Sequence, residues 1–198
     1  MIFEDYYNYL TVEEFQQIRK LDLPQVFLDF LEIGFRTGLR CSDILNLKKK
    51  DINLKQKVIV GIAKKTNASI YIQLDEVSLS ILKRRLQNTD NEYLFVNKSG
   101  KIYSVSYFYG YYRKAFDLIY SDQTDVKHKS IHTIRAGNYI FLKERGVLPI
   151  EIICRQRPEF FDIPKFDQCT SVYVINKFLP IILLCFYSSP NIVISYNL

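Results

Sequence analysis

A mainly helical α+β domain with one small antiparallel sheet is the fold class that the sequence predicts. Stretches of apolar residues recur at helical spacing behind residues that cap helices. Residues 58–62 and 70–74 alternate instead with the period of two that is typical of strands. The 198 residues suffice for one hydrophobic core, and 48% hydrophobic with 24% charged residues excludes wholesale disorder.

Two helices open the chain. Thr11 and Glu14 form a capping box, which predicts a helix over about residues 12–20. Pro24 fits the first turn of a second, largely buried helix, because its fixed φ suits that position. We expect Gly38 to end this helix in a left-handed turn, which glycine adopts without steric cost.

A β-hairpin follows a short third helix. Ser42 is the predicted cap of that helix, whose apolar residues include Ile44 and Leu45. Residues 58–62 and 70–74 then form the hairpin, joined by a polar turn that begins near Lys64.

Four further elements complete the predicted domain. They are a helix from Asp75 to about Arg85, a short strand at Tyr93–Val96 turned by Asn97–Gly100, a Tyr-rich helix from Ser104 to about Tyr120, and a helix from Ile131 to Arg145 that Gly146 ends. Residues 1–150 are the expected domain core, and residues 151–198 the expected C-terminal segment.

Charge and cysteine content bear on the class of partner. Twenty-seven Lys and Arg against 21 Asp and Glu give a net charge of +6, which suits a polyanion such as nucleic acid. The four cysteines contain no Cys-x-x-Cys pair, and His128 and His132 do not flank them at zinc spacing. The pattern predicts a reduced, intracellular protein without a structural metal.

The sequence also argues against a membrane protein. Residues 1–7 lack the positive region of a secretory signal. Residues 178–198 carry no charge, but their apolar run at 178–187 is too short to span a bilayer, and Pro180 and Pro190 interrupt the segment. We expect this tail to pack on the domain or on a neighbouring protomer, and the protein to be cytoplasmic.

Several basic residues stand where they could bind an anion. Arg40 lies just before a helix, where it either pairs with Asp43 or points into a cleft that binds phosphate. His132 and Arg135 share one face near a helix N-terminus, an arrangement that favours anions. The run at 48–50 is typical of a solvated helix end.

Motifs in three parts of the chain together carry a family resemblance. They are Thr37-Gly-Leu-Arg-Cys-Ser-Asp-Ile-Leu-Asn-Leu47, then Lys65-Thr followed by Ile70-Tyr-Ile-Gln-Leu74, and then Ile131-His-Thr-Ile-Arg135 ahead of Leu142-Lys-Glu-Arg-Gly-Val147. In order and spacing they resemble the catalytic domain of the tyrosine recombinases (phage-integrase family), particularly integrases of mobile elements in Bacteroidetes-like bacteria. Leu10-Thr-Val-Glu-Glu-Phe15 is similar to the family's entry into that domain. The resemblance covers about residues 10–150 and implies the DNA breaking-rejoining catalytic-core fold.

The resemblance implies a chemistry and the residues that perform it. In this family a tyrosine oxygen attacks a DNA phosphodiester without metal or cofactor, which forms a 3′-phosphotyrosine and releases a 5′-hydroxyl. Arg40 and Arg135 match the two arginines that stabilise the charged transition state. Lys65 matches the general acid, with Lys64 as the neighbouring candidate, and His132 matches the residue that assists proton transfer.

The chain also departs from the family pattern. Ala136 stands where members usually have a histidine, and residues 154–160 replace the usual Leu-Gly-His or tryptophan. Asp167 occupies the spacing expected of the nucleophile, and the nearest match is Tyr173, in a Thr-x-x-Tyr context at 170–173. The poorer matches are Tyr187 and Tyr196.

The expected function is therefore site-specific recombination of double-stranded DNA by a homo-oligomer, a tetramer on DNA. Members usually carry a helical DNA-clamping domain ahead of the catalytic one. Only about ten residues precede Thr11, so we expect that domain to be absent. Two alternatives stay open: a relative that holds a DNA phosphate without cleaving it, and a basic helical nucleic-acid-binding protein without recombinase ancestry.

Overall fold

The computed structural model describes residues 9–65, 67, 69–122, 129–149 and 151–152. Within these residues the chain forms six α-helices and one three-stranded antiparallel sheet. The elements are α1 (Val12–Ile18), α2 (Gln25–Thr37), α3 (Cys41–Leu45), a 3-10 turn (Lys49–Asp51), β1 (Ile52–Asn53), β2 (Val58–Ile62), β3 (Ser69–Gln73), α4 (Glu76–Gln87), α5 (Val105–Ile119) and α6 (Thr133–Glu144). The mainly helical α+β class is confirmed.

Local capping residues begin three of the helices as predicted. The Thr11 hydroxyl accepts the Glu14 backbone N–H at 3.1 Å, and the Glu14 carboxylate accepts the Thr11 N–H at 2.9 Å. Asp75 and Ser104 each accept a backbone N–H from three residues further on, at 2.8 Å and 3.1 Å. These side chains satisfy donors that a helix start leaves without an intrahelical partner.

Helix α2 runs through the hydrophobic core. Most of its apolar side chains are buried, and it packs against α3, α4 and α6. Phe30 stacks on Phe108 of α5 with ring centres 4.4 Å apart, while Phe95 meets Phe30 edge-on at 6.4 Å. Burial of such rings contributes most to holding the helices together.

The sheet has the strand order β1-β2-β3, with Ile59 opposite Ile72 in the central pair. Ile59 and Ile72 are buried, whereas Val60, Ile62 and Tyr71 on the other face are exposed. The predicted hairpin is confirmed. Strand β1 was not predicted, because two residues are too few to show an alternating pattern.

Two predicted elements are wrong in detail. Tyr93–Val96 is not a strand: Tyr93 makes an isolated bridge with Lys48 and Val96 makes another with Ile102. The two bridges pair with different segments of the chain, so neither continues into the consecutive pairs that form a strand. Ser42 does not cap α3, which already begins at Cys41 with Arg40 as the N-cap residue in an extended conformation.

The basic run at 48–50 is not a solvated helix end. The Lys48 ammonium lies 3.0 Å from the Glu92 carboxylate and 4.9 Å from the centre of the Tyr93 ring. The Lys49 ammonium donates to the Thr89 carbonyl at 2.5 Å. The first two lysines therefore fasten the 3-10 turn to the loop that follows α4.

Carboxylates of α2 and at the start of α4 are paired with arginines of the same two helices. Asp29 binds Arg84 and Arg85 of α4. Arg36, also on α2, lies 2.7 Å from Glu32 and 2.6 Å from Asp75, the cap of α4. These pairs remove the cost of burying single charges and set α4 against α2.

Candidate functional site

Arg40 follows the left-handed turn that ends α2. Gly38 has φ 66°, and its N–H donates to the Gly34 carbonyl at 3.0 Å, as predicted for a glycine cap. Arg40 then stands at the N-terminus of α3 with its side chain 20% exposed. Its Nη1 atom lies 4.0 Å from the Asp43 Oδ2 atom, a separation longer than that of a charge-assisted hydrogen bond.

Asp43 connects α3 to the turn between β2 and β3. Its side chain is only 3% exposed, and its Oδ1 atom accepts the Lys64 backbone N–H at 3.0 Å. The Lys64 ammonium lies 3.4 Å from the side-chain oxygen of Asn46, the residue that follows α3, whereas Lys65 is exposed on the hairpin turn. The buried carboxylate thus holds the lysine-bearing turn beside Arg40.

Arg135 lies in the first turn of α6 and contacts the same region. Its Nη1 atom donates to the Gly38 carbonyl at 2.9 Å, two residues before Arg40. Arg40 and Arg135 therefore come from segments that are bonded to one another, although 95 residues separate them in sequence.

Cys41 lies between these segments, and its thiol is unreactive. Its sulfur is 3.7 Å from the Ile131 carbonyl. Burial raises the pKa of the Cys41 thiol to about 12, even though the positive charge of Arg135 opposes the shift. The thiol is therefore neutral at physiological pH and serves as a packing group, since only the thiolate is an effective nucleophile.

His132 is exposed at the N-terminus of α6, one turn before Arg135. The segment that carries it is fastened to the start of the domain. The Lys129 ammonium lies 2.6 Å from both carboxylate oxygens of Glu14, and the Leu10 N–H donates to the Thr133 carbonyl at 3.0 Å. The Thr133 hydroxyl is in turn 2.8 Å from the Tyr112 hydroxyl of α5.

Five site residues were predicted. The structure brings together the segments that carry four of them: Arg40, Lys65, His132 and Arg135. The fifth, Tyr173, lies outside the described residues. Sequence reasoning gave Asp43 no role beyond pairing with Arg40, and missed Asn138 entirely. Asn138 was detectable in principle, as a polar residue one turn after Arg135 on the buried face of α6.

Two further structural observations concern the described part of the chain only. No three His, Cys, Asp or Glu side chains in it are grouped so that they could hold a metal ion. None of its helices combines the length and apolar character needed to cross a bilayer.

Solved integrase structures share this fold. An integrase of the transposon Tn1549, in complex with a circular intermediate DNA, superposes with a TM-score of 0.63 at 17% identity, over 73% of this chain and 54% of that one. The catalytic core of lambda integrase superposes with a TM-score of 0.62 at 17% identity, over 81% of this chain and 96% of that one. The described helices and sheet therefore form the integrase catalytic-core fold.

Sequence comparison points the same way. A "probable integrase/recombinase protein" of Methanocaldococcus jannaschii is 29% identical over 123 residues, which make up 59% of this chain and 37% of the relative. The chain thus matches well under half the length of that protein.

The model of the phage integrase family matches residues 9–149. This range includes every described element and the segments that carry Arg40, Lys65, His132 and Arg135. Since the match extends over more than half of the sequence, the chain belongs to the phage integrase family.

Proposed function

We propose that this chain is the catalytic domain of a tyrosine recombinase, which cuts and rejoins double-stranded DNA through a 3′-phosphotyrosine intermediate. The observation that carries the proposal is the hydrogen bond from Arg135 to the Gly38 carbonyl, two residues before Arg40. It supports a pocket in which two guanidinium groups face one phosphate. Family membership supports the same function.

The two arginines are the proposed charge-stabilising groups. Attack on a phosphodiester places additional negative charge on the two non-bridging oxygens, and guanidinium groups match that geometry with paired N–H donors. Arg40 and Arg135 would each bind one of these oxygens. This arrangement supplies from side chains the positive charge that a metal ion supplies in other phosphoryl-transfer enzymes.

Lys65 is the proposed general acid. It is exposed on the turn that Asp43 holds beside Arg40, while the ammonium of Lys64 contacts Asn46 at the end of α3. These contacts favour Lys65 over its neighbour. The ammonium would protonate the leaving 5′ oxygen as the phosphorus–oxygen bond breaks.

His132 and Tyr173 complete the proposed reaction. The Tyr173 oxygen attacks phosphorus, its proton passes toward His132, and the 3′-phosphotyrosine forms as the 5′-hydroxyl leaves. A free tyrosine has a pKa near 10 and is therefore protonated at neutral pH. Cationic groups beside the attacking tyrosine would favour its phenolate form. Rejoining is the reverse attack by a 5′-hydroxyl of a partner duplex.

Partners and setting follow from the proposed reaction. We infer that the chain acts on double-stranded DNA as a tetramer, because exchange of both strands of two duplexes needs four cleavage sites. A mobile element is the proposed source, supported by the fold shared with a transposon integrase bound to DNA. Membership of the Bacteroidetes-type group and a cytoplasmic, nucleoid-associated location stay predictions.

The direct test is to trap the covalent adduct. The chain is incubated with sheared DNA that flanks its gene, and the mixture is then denatured and digested with protease. Mass spectrometry of the resulting peptides identifies any tyrosine that carries a nucleotide. We expect the adduct on Tyr173, and its loss in Tyr173→Phe but not in Tyr109→Phe, which alters an exposed tyrosine of α5. Adduct formation that survives Tyr173→Phe would assign the nucleophile elsewhere.

The leaving group gives a test of Lys65. Lys65→Ala should slow cleavage by about 10²- to 10⁴-fold on ordinary DNA. DNA with sulfur in place of the bridging 5′ oxygen should restore the rate, because a thiolate leaves without protonation. Lys64→Ala serves as the matched control, and rescue of Lys64→Ala instead of Lys65→Ala would exchange the two roles.

A relative that binds DNA without cutting it is the second candidate function. Ala136 stands in the position of a family histidine, and the chain has no tryptophan. DNA binding that depends on Arg40 and Arg135, with no adduct from any tyrosine, would favour this candidate. Family membership excludes the alternative of a basic helical protein without recombinase ancestry.

A further inference from the structure

Asn138 is a buried polar side chain that joins α6 to the end of α2. It is 1% exposed, and its Nδ2 atom donates to the Phe35 carbonyl at 2.7 Å and to the Arg36 carbonyl at 3.2 Å. Both carbonyls belong to the last turn of α2. The last four carbonyls of any helix lack a following intrahelical donor, so the amide of Asn138 supplies what α2 cannot.

The turn after α2 makes this external donor necessary. The Leu39 N–H donates to the Thr37 hydroxyl at 3.3 Å. It is therefore not used to bind the last carbonyls of α2. The Thr37 hydroxyl itself donates to the Ile33 carbonyl at 2.5 Å. Left-handed Gly38 then redirects the chain toward Arg40. The turn is therefore held by side chains on two sides, one from α2 and one from α6.

Arg135 and Asn138 bind this turn from positions one helical turn apart on the same face of α6. Arg135 donates to the Gly38 carbonyl at 2.9 Å, so α6 contacts the carbonyls of residues 35, 36 and 38. Other contacts also hold α6, among them the bond from the Leu10 N–H to the Thr133 carbonyl. Arg135 and Asn138, one helical turn apart, join α6 to the turn before Arg40 at two points.

We propose that Asn138 is a positioning residue for phosphate binding: it sets the separation between the Arg40 and Arg135 guanidinium groups so that both bind one phosphate. The inference rests on the proposed function, because it deepens the role given to the two arginines. It adds a residue that touches no DNA and acts through the backbone that carries Arg40.

The test measures the affinity for inorganic phosphate by an NMR titration of the arginine Nε–H signals at low ionic strength. Arg40→Ala and Arg135→Ala should each bind phosphate at least about tenfold more weakly, since each removes hydrogen bonds to a charged group. Asn138→Ala should weaken binding several-fold in the otherwise unchanged chain. In the Arg40→Ala background it should have no further effect, because the group that it positions is gone.

Three companion variants separate positioning from charge and stability. Arg113→Ala removes an exposed guanidinium of α5 and should leave the affinity unchanged. Phe95→Leu truncates a buried ring that packs against Phe30 and Phe108, so it should lower stability by a route other than the turn. Asn138→Ser keeps a short donor; it should bind phosphate with intermediate affinity, and it replaces Asn138→Ala if that variant does not fold. Thermal melting sets a temperature at which every variant is folded.

The outcomes distinguish this inference from the proposed function. If neither arginine variant weakens phosphate binding, the proposed phosphate pocket itself is wrong. If both do but the Asn138 variants bind like the unchanged chain, the pocket stands and the positioning role is overturned. An equal loss from Asn138→Ala with and without Arg40 also overturns it, because the effect would then not pass through Arg40.

Discussion

Asp43 shows how one buried carboxylate can organise two cationic groups. It accepts the Lys64 backbone N–H at 3.0 Å and lies 4.0 Å from the Arg40 guanidinium. The first contact needs only an acceptor atom, while the second needs a negative charge. The two contacts can therefore be separated by substitution.

We expect Asp43→Ala to destabilise the chain by about 1–3 kcal/mol, because it leaves the Lys64 N–H without its acceptor. Asp43→Asn keeps an oxygen at that position and should cost less. Chemical denaturation of both variants measures the difference. Equal losses would show that the charge facing Arg40, and not the bond to Lys64, is what stabilises this region.

At the scale of elements, two helical glycines make opposite predictions. A Cβ atom on Gly137 of α6 would lie 2.3 Å from the Leu10 carbonyl oxygen and 3.0 Å from the Phe35 ring. A Cβ atom on Gly110 of α5 would have no atom within 4 Å. The first glycine is thus required by a close backbone approach, whereas the second is not.

Gly110→Ala should stabilise the chain by about 0.5–1 kcal/mol, since alanine loses less conformational freedom in a helix. Gly137→Ala carries the same helical gain but should be destabilising, because the contact with Leu10 forces α6 and the start of the domain apart. Melting temperatures of the two variants check this contrast. A stabilised Gly137→Ala would disprove the close approach.

Asp75 both caps α4 and forms a half-buried charge pair with Arg36. Burial alone would raise the pKa of Asp75, but the hydrogen bonds from Ser78 and the Arg36 guanidinium outweigh it and lower the pKa below the usual value. A carboxyl group with a lowered pKa stabilises the fold above its unfolded pKa of about 4. That stabilisation is lost as the pH falls further.

We therefore expect the free energy of unfolding to decrease below about pH 4, and Asp75→Asn to reduce this dependence. Asparagine is as good a helix cap as aspartate, so Asp75→Asn removes the charge and retains the cap. Asp75→Ala removes both and should cost a further ~1 kcal/mol at neutral pH. Denaturation at pH 3 to 7 separates the two, and an unchanged profile for Asp75→Asn would assign the pH dependence to other carboxyl groups.

The elements that sequence predicted well are those that neighbouring residues determine. Caps at Thr11, Asp75 and Ser104 involve partners three residues away, so they are visible in the sequence. The isolated bridges at Tyr93 and Val96 depend on which distant segments pass beside them. Local patterning contains no information about those neighbours.

The candidate site divides in the same way. Arg40 and Arg135 were found because each stands in a short motif. The contacts around these two arginines could not be predicted, because their partners are far apart in sequence. Asp43 binds Lys64, 21 residues away, and Asn138 binds Phe35, 103 residues away. Such pairs are set by the packing of α3 and α6 around α2, which follows from the whole core.

At the scale of the whole molecule, the uncharged tail carries the prediction about assembly. Residues 178–198 contain no charged residue, and apolar segments of this kind favour association with another surface. Deleting them should leave the free chain's sedimentation unchanged but prevent the proposed tetramer from forming on DNA. An unchanged mass of the DNA complex after the deletion would assign assembly to another surface.

The backbone bond between Leu10 and Thr133 has a mechanical consequence. The Lys129 ammonium also donates to the Tyr9 carbonyl at 2.7 Å. These two bonds hold the first described residues against the segment that leads into α6. A force applied at residue 9 is therefore transmitted through two hydrogen bonds to the base of the helix that carries Arg135. Traction there would act on the first turn of α6, which carries Arg135, as well as on α1.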